Sequence, residues 1–292
     1  MKVLVTGGSG QLGSEVVQRL QRADYQVIAP HRNDMDFMQP DTLGQFIAHT
    51  RPDYVINCAA YTQVDKAEDE PEAAFTVNRD APGRLAAAVA DTGGRLLHVS
   101  TDFVFDGKQE RPYRESDPAH PLSSYGRSKL EGEETVMRAL PGAVILRTAW
   151  LYGINGHNFV KTMLRVAQAG KPLRVVDDQT GSPTWAADVA AVIHRLVDSD
   201  TGGVYHYTSA GSTSWHGFAC AILEEAAETG FDIRTRDVEP IPTTAYPTPA
   251  VRPAYSVLDT GKIESLLSLS IPAWRDSLKK MLEELHTCAD CL

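Results

Sequence analysis

Cysteine is scarce in this chain: there are four in 292 residues, Cys58, Cys220, Cys288 and Cys291. That is too few for a disulfide-stapled fold, and a chain of this length can bury a core without staples. The usage points to a reducing, cytoplasmic setting. Cys288-x-x-Cys291 has no second pair of ligands to make a zinc site, and reads as two free thiols in a frayed tail. Long apolar runs are also missing. None reaches the ~18 residues that span a bilayer. Glycines begin at residue 7, too early for a signal peptide, and no cysteine stands fourth from the end, as a prenylation box requires. Positive charge is in deficit, with 28 Lys and Arg against 38 Asp and Glu, a net charge of −10. Such a chain repels phosphate backbones, which argues against nucleic acid as a partner. A small phosphorylated ligand needs only local cations. Repeats and low-complexity segments are absent, and the ordinary balance of 42% hydrophobic and 23% charged residues excludes a disordered chain, a fibre and a coiled coil.

Through the first half, short β-branched runs alternate with longer helical patterns. Residues 3–6, 26–29, 54–57, 96–100 and 144–147 read as buried strands, with helices over 11–22, 41–49, 72–91 and 123–140. This alternation predicts an α/β fold with a doubly wound parallel sheet covered on both faces. Beyond about residue 150 the pattern loosens into helices over 158–169, 186–198, 215–230 and 273–285, separated by Pro- and Gly-rich loops. The expected division is a nucleotide-binding domain, 1–150, and a smaller substrate-binding lobe, 151–292. Residues 175–176 and 204–207 are candidates to return to the main sheet. Prolines at 240, 242, 247, 249 and 253 exclude a helix there and suggest a rigid loop lining a site.

Thr6-Gly7-Gly8-Ser9-Gly10-Gln11-Leu12-Gly13 joins the first strand to the first helix. It fits Gly-x-x-Gly-x-x-Gly from Gly7 and Gly-x-Gly-x-x-Gly from Gly8. Glycines permit the tight turn and the close approach of a pyrophosphate, while the helix N-terminus offers free N–H groups and partial positive charge. The context of strand, turn and helix makes this a dinucleotide site built on Gly7, Gly10, Gln11, Leu12 and Gly13. Pro30-His31-Arg32 ends the second strand with no carboxylate to bind the ribose hydroxyl of NAD. Arg32 can pair with a 2′-phosphate, so the reading favours NADPH, with NADH tolerated. Asp36 and Phe37 can clasp the adenine. Cys58, Ala59 and Ala60 end the third strand with small side chains that let the cofactor approach.

Tyr125-x-x-x-Lys129 opens a predicted helix, and i, i+4 spacing puts both side chains on one face. A nearby ammonium is expected to lower the phenol pKa and make Tyr125 a usable acid–base group. Ser100-Thr101-Asp102 falls at the carboxyl end of the fourth strand, where open α/β sheets place ligands. The Thr101 hydroxyl can donate to a substrate oxygen. Thr101, Tyr125 and Lys129 are the candidate catalytic residues.

These residues carry a resemblance. The chain resembles the extended short-chain dehydrogenase/reductase family, and within it the branch that completes dTDP-L-rhamnose synthesis. The likeness runs over nearly the whole chain: NCAAYTQVD (57–65), STDFVFDG (100–107), YGRSKLE (125–131), RTAWLY (147–152), NFVKTML (158–164), DQTGSPT (178–184) and YPTPAVRP (246–253). It implies a Rossmann-type sheet and NADPH-dependent reduction of a dTDP-4-keto-6-deoxy-L-hexose. In that reading Tyr125 protonates the C4 oxygen, Lys129 holds the nicotinamide ribose, and Thr101 polarises the carbonyl. Asp102 contacts the sugar, Trp150 packs against the deoxyhexose and Arg252 binds the diphosphate. Some members carry acidic residues that bind magnesium at a dimer contact. Glu15 can match one, but Asp188 stands one residue later than the expected glutamate. No metal ligand is therefore assigned, and monomer and homodimer both stay open. Two rivals remain: an epimerase or dehydratase of the same fold, and a non-catalytic regulatory subunit. A dehydratase usually carries further acidic groups beside its Thr, whereas here Phe103 follows Asp102. The intact Tyr125, Lys129 and Thr101 set argues against a pure binding module.

Overall fold

The structure is a computed structural model that describes residues 1–288. Six strands form one parallel sheet: β1 (Lys2–Thr6), β2 (Gln26–Ile28), β3 (Tyr54–Asn57), β4 (Arg95–Thr101), β5 (Val144–Thr148) and β6 (Gly203–His206). Their spatial order is β6-β5-β4-β3-β1-β2. The direction of winding reverses between β1 and β3, the switch point at which doubly wound sheets bind ligands. The longer helices are α1 (Gln11–Arg22), α2 (Leu43–Thr50), α3 (Ala81–Thr92), α4 (Ser124–Ala139), α5 (Phe159–Gln168), α6 (Ala186–Val197), α7 (Trp215–Thr229), α8 (Gly261–Leu267) and α9 (Trp274–Thr287).

Alternation along β1 shows how both faces are covered. Val3 and Val5 enter a core with Val16 of α1, Ile193 of α6 and Ile263 of α8. Leu4 points the other way, towards Ile47 of α2, Leu85 of α3 and Val136 of α4. A third core lies outside the sheet, where Leu164 of α5, Phe218 and Ile222 of α7 and Leu282 of α9 pack together. Apolar burial gives way to polar burial at the strands' carboxyl ends. Thr6, Asn57, Ser100, Thr101, Arg147 and Thr148 are all buried there.

The strand of residues 204–207 does return to the sheet, with His206 opposite Arg147. Residues 175–176 do not: Leu173–Val176 pairs in parallel with Val238–Ile241, away from the main sheet. The proline-rich stretch therefore begins as a strand, with Pro240 opposite Val175, and continues through a short 3-10 turn at Thr243–Ala245. The helix expected over 72–91 is broken. A short helix (Pro71–Phe75) passes through a π-turn (Thr76–Asp80) before α3. Pro82 has no N–H for the carbonyl of Asn78, four residues earlier. The Asn78 side chain is itself drawn away, accepting from Tyr61 N at 2.8 Å and donating to Tyr61 O and Ser128 Oγ at 3.0 Å. Cys288 is disulfide-bonded, which corrects its reading as a free thiol. Cys291 lies outside the described residues. Among the described residues no helix is long and apolar enough to cross a membrane.

The π-turn rests directly on α4, because a Cβ at Gly132 would collide with the Asn78 carbonyl. Gly132→Ala should destabilise the fold by about 1–3 kcal/mol, the usual penalty of overpacking. Urea unfolding should show a lower midpoint at unchanged slope. An unchanged midpoint would mean that the π-turn yields freely.

Candidate active site

One cleft of about 1110 Å³ runs over the carboxyl ends of β1, β3, β4 and β5. Its floor begins at the glycine turn. Gly7 has φ +66°, and a Cβ on it would lie 2.8 Å from Ala59 N. A Cβ on Gly13 would strike the Gly7 carbonyl, so the turn and α1 touch backbone to backbone. Gly10 is the helix N-cap, with a Cβ position 3.2 Å from Gly7 O, and no side chain caps α1. These contacts select the register Gly7-x-x-Gly10-x-x-Gly13 from the two that the sequence allows. The N–H groups of Gln11, Leu12 and Gly13 have no partner within the helix and line the cleft, a cradle fitted to an anion. Ala59 and Ala60 line the wall beside it, with Cys58, whose thiol burial pushes up to about 12.

Arg32, Asp36 and Phe37 line the outer end. The Arg32 side chain is 80% exposed and only loosely paired with Asp36, at 3.9 Å. It is a local cation in an acidic chain, without a close partner. Asp36 accepts from Met38 N at 3.0 Å, while Phe37 is anchored in the α2–α3 core.

The inner end belongs to β4 and α4. Ser123 caps α4, its Oγ accepting from Gly126 N at 3.1 Å. Ser124 binds Glu68 through its N and Oγ, at 2.7 and 2.9 Å. Further along, Glu133 ties the helix to two strands. It accepts from Ser100 Oγ at 2.5 Å and from the Arg147 guanidinium at 2.6 and 2.9 Å, with both charges buried. Tyr125, Lys129 and Glu133 follow one another at four-residue spacing down one face of α4.

Tyr125 lies against the Thr101 hydroxyl. Its pKa runs against the expected lowering by an ammonium: burial pushes it up to about 12, and Asp102 adds in the same direction. Lys129 is itself buried, held by donation to Val99 O at 2.7 Å, and burial pushes its amine down to about 8. Thr101 Oγ1 donates to Asp102 Oδ1 at 3.0 Å. Asp102 Oδ2 is buried with no hydrogen-bond partner, and burial lifts the acid to about 6. The Thr148 hydroxyl, also on the cleft, is likewise unpartnered. Unpaired polar atoms of this kind are costly unless a ligand meets them.

Trp150 lines the cleft at the start of the third core. Its backbone is left-handed, φ +47°, unusual for a bulky residue and worth about 1–3 kcal/mol of strain. Trp215 stacks on its ring at 3.6 Å and 5°, and Gly181 is needed beside it, because a Cβ there would overlap the indole. The cleft therefore brings together every candidate site residue except Arg252. That guanidinium is held by Asp65, at 2.7 and 2.9 Å, and by Thr248 Oγ1 at 2.6 Å. Its hydrogen bonds, and then its charge, keep the Asp65 carboxyl below its ordinary value. Asp65 lies between Val64 and Lys66, which do line the cleft, so Arg252 stands just behind its rim. Sequence reasoning missed Thr148, Trp215, Glu133 and His98. The first sits inside the RTAWLY landmark and Glu133 continues the four-residue spacing of Tyr125 and Lys129, but nothing in spacing marked Trp215 or His98. Glu15 accepts from Asn155 at 3.4 Å and Asp188 from Ser277 at 2.5 Å, both apart from the cleft lining. No group of three or more His, Cys, Asp or Glu fit for a metal occurs among the described residues.

Comparison with known proteins agrees with this geometry. The model of the family described as RmlD substrate binding domain matches residues 1–287. A dTDP-4-dehydrorhamnose reductase of Burkholderia thailandensis is 42% identical over 296 residues, covering 98% of this chain and 99% of that protein. A crystal structure of a dTDP-4-dehydrorhamnose reductase from Clostridium acetobutylicum superposes with a TM-score of 0.92 at 40% identity, over 98% of this chain and 100% of that one. Another, from Bacillus anthracis in complex with NADP, gives 0.92 at 34% identity, over 97% and 99%. The likeness spans the glycine cradle, the Tyr125 face of α4 and the lobe beyond Trp150 alike, and the chain belongs to the RmlD substrate binding domain family.

Proposed function

We propose that the chain reduces the C4 carbonyl of dTDP-4-dehydro-6-deoxy-L-mannose, also called dTDP-4-dehydro-L-rhamnose, with NADPH, giving dTDP-L-rhamnose in the last step of dTDP-rhamnose biosynthesis. One observation carries this reading: a single cleft joins an anion cradle to a buried Tyr–Thr–Lys set. The residues present fit NADPH, which supplies the hydride when bound. The α1 N–H groups would meet its pyrophosphate, Arg32 its 2′-phosphate, and Asp36 and Phe37 its adenine. Cys58, Ala59 and Ala60 would flank it, and Lys129 would hold the nicotinamide ribose.

Hydride delivery leaves negative charge on the C4 oxygen. Thr101 would turn its one hydroxyl hydrogen from Asp102 to that oxygen, and Tyr125 gives it a proton. A buried phenol with a raised pKa keeps its proton at neutral pH, and so is loaded as an acid. The alkoxide formed is the stronger base, so transfer runs downhill. Asp102 and Trp150 would orient the sugar, with residues 151–292, of which Leu151, Gly156 and His157 line the cleft, as the substrate-binding lobe, and Arg252 would bind the diphosphate. The setting is cytoplasmic, the partner a nucleotide sugar, and the state monomer or homodimer.

Tyr125→Phe keeps the ring and removes the proton. Its kcat should fall by about 10²–10⁴-fold, the usual worth of a positioned acid, with NADPH affinity nearly unchanged. Lys129→Met should lower both. Near-normal turnover by Tyr125→Phe would send the search for the proton donor elsewhere. Arg32→Ala should weaken NADPH binding by about 1.5 kcal/mol, the low end for a charged hydrogen bond because the side chain is exposed, and leave NADH nearly untouched. Equal losses with both cofactors would contradict a phosphate contact. For Arg252→Ala, calorimetric titration should show weaker dTDP-sugar binding with NADPH affinity intact. Unchanged dTDP affinity would leave Arg252 as no more than the partner of Asp65.

A further inference from the structure

Behind Lys129 runs a buried polar chain that the reaction as described does not use. His98 and Asn57 are fully buried, on adjacent strands β4 and β3. Lys129 Nζ lies 3.4 Å from His98 Nε2, and His98 Nδ1 lies 2.8 Å from Asn57 Nδ2. The orientation of the Asn57 amide is fixed from its other end. Its Oδ1 accepts from the backbone N–H of Ala59 at 3.2 Å and from Thr6 Oγ1 at 2.5 Å. A backbone N–H can only donate, so the atom facing it is the oxygen and the atom facing His98 is the NH₂ group. His98 Nδ1 must then accept. A neutral imidazole accepting at Nδ1 carries its hydrogen on Nε2, and that hydrogen points at the lysine.

We propose that His98, locked by Asn57 as its Nε2–H tautomer, is a positioning residue for Lys129. It presents a donor to the amine, where a lysine ordinarily finds an acceptor. The ammonium form is left with Val99 O as its hydrogen-bonding anchor, whereas the neutral amine can accept from Nε2–H. Lys129 is thereby held close to the balance between its two forms. Burial, reinforced by the nearby lysine charge, keeps His98 neutral well below its ordinary range, as this tautomer requires. The other titratable groups near Lys129 are Glu133 on its own helix and Cys58 at the end of β3, which favour the ammonium, and Tyr125 one turn earlier. They oppose His98 without replacing it, since none is a neutral donor aimed at Nζ.

Two measurements on the intact chain need no substrate. Nitrogen-15 histidine spectra, with the His98 signal identified by its loss in His98→Gln, should show a neutral ring protonated at Nε2 near neutral pH. A titration of carbon-13-labelled lysine should find Lys129 with a pKa near 8, well under that of a free lysine. The decisive variant is Asn57→Asp. A carboxylate at that position demands Nδ1–H from His98, which turns the Nε2 lone pair towards Lys129 and favours the ammonium; because the new charge also acts directly, the shift is read against Asn57→Asp/His98→Phe, which keeps the charge and removes the ring nitrogens, and must exceed it. The lysine titration, and the alkaline fall in kcat if the reductase reading holds, should move up by about one pH unit or more. Only the kinetic arm rests on that reading, so an inactive protein with the expected spectra would overturn the activity and leave the tautomer standing. A wild-type ring protonated at Nδ1 or charged, or a Lys129 titration unmoved when Asn57→Asp flips the ring, would overturn the proposal. Should Asn57→Asp not fold, the two wild-type spectra decide it.

Discussion

A buried carboxylate binds a buried guanidinium at the centre of this structure, and the site hangs from that contact. Glu133 of α4 meets Arg147 of β5 bidentately and takes a third bond from Ser100 of β4. Such a pair adds little net stability over apolar packing, but removing one partner leaves an uncompensated buried charge at a cost of about 3–5 kcal/mol. What the pair supplies is position. It fixes the rotation of α4 against two strand ends, and two turns earlier on the same helix face Tyr125 is set against Thr101. Gly132 and Gly126 serve the same end, letting the helix approach Asn78 and the Phe103 carbonyl more closely than a side chain would allow.

Charge in the cleft is arranged by sign and by depth. The outer end offers the exposed Arg32 and the free N–H groups of α1, suited to phosphates that remain partly hydrated. The inner end offers groups whose charge burial suppresses: a phenol that keeps its proton, an aspartic acid raised to about 6, and an amine lowered to about 8. A chain with net charge −10 can hold a polyanionic ligand because its few local cations and dipoles are concentrated along one path.

The sheet and most helices were legible because parallel strands buried on both faces read as short β-branched runs, alternating with longer helical patterns. The glycine cradle was legible for a steric reason, although two registers stayed open until the contact of Gly13 with Gly7 separated them. The break at Thr76–Asp80 was not read, although Pro82, with no N–H for the Asn78 carbonyl, stood in the sequence; the tertiary pull on Asn78 that completes the break left no local trace. The Tyr125 shift was misjudged because pair spacing says nothing of burial, which raises the phenol here. Arg252 was marked by the family resemblance, while its pairing with Asp65, far away in sequence, left no local trace. His98 was invisible for a similar reason: a histidine within Leu96-Leu97-His98-Val99 looks like core until its two neighbours are known.

A reductase gives its hydride away, whereas an epimerase or dehydratase on the same fold takes it back. The most direct measurement therefore follows that hydrogen. The protein is supplied with NADPH bearing deuterium at the transferable position of nicotinamide C4, together with dTDP-4-dehydro-L-rhamnose, and the product sugar is analysed by mass spectrometry and NMR. One deuterium at sugar C4 for each NADPH consumed is the result expected of this site. Conversion of the sugar without loss of NADPH, or product with no deuterium at C4, would contradict it.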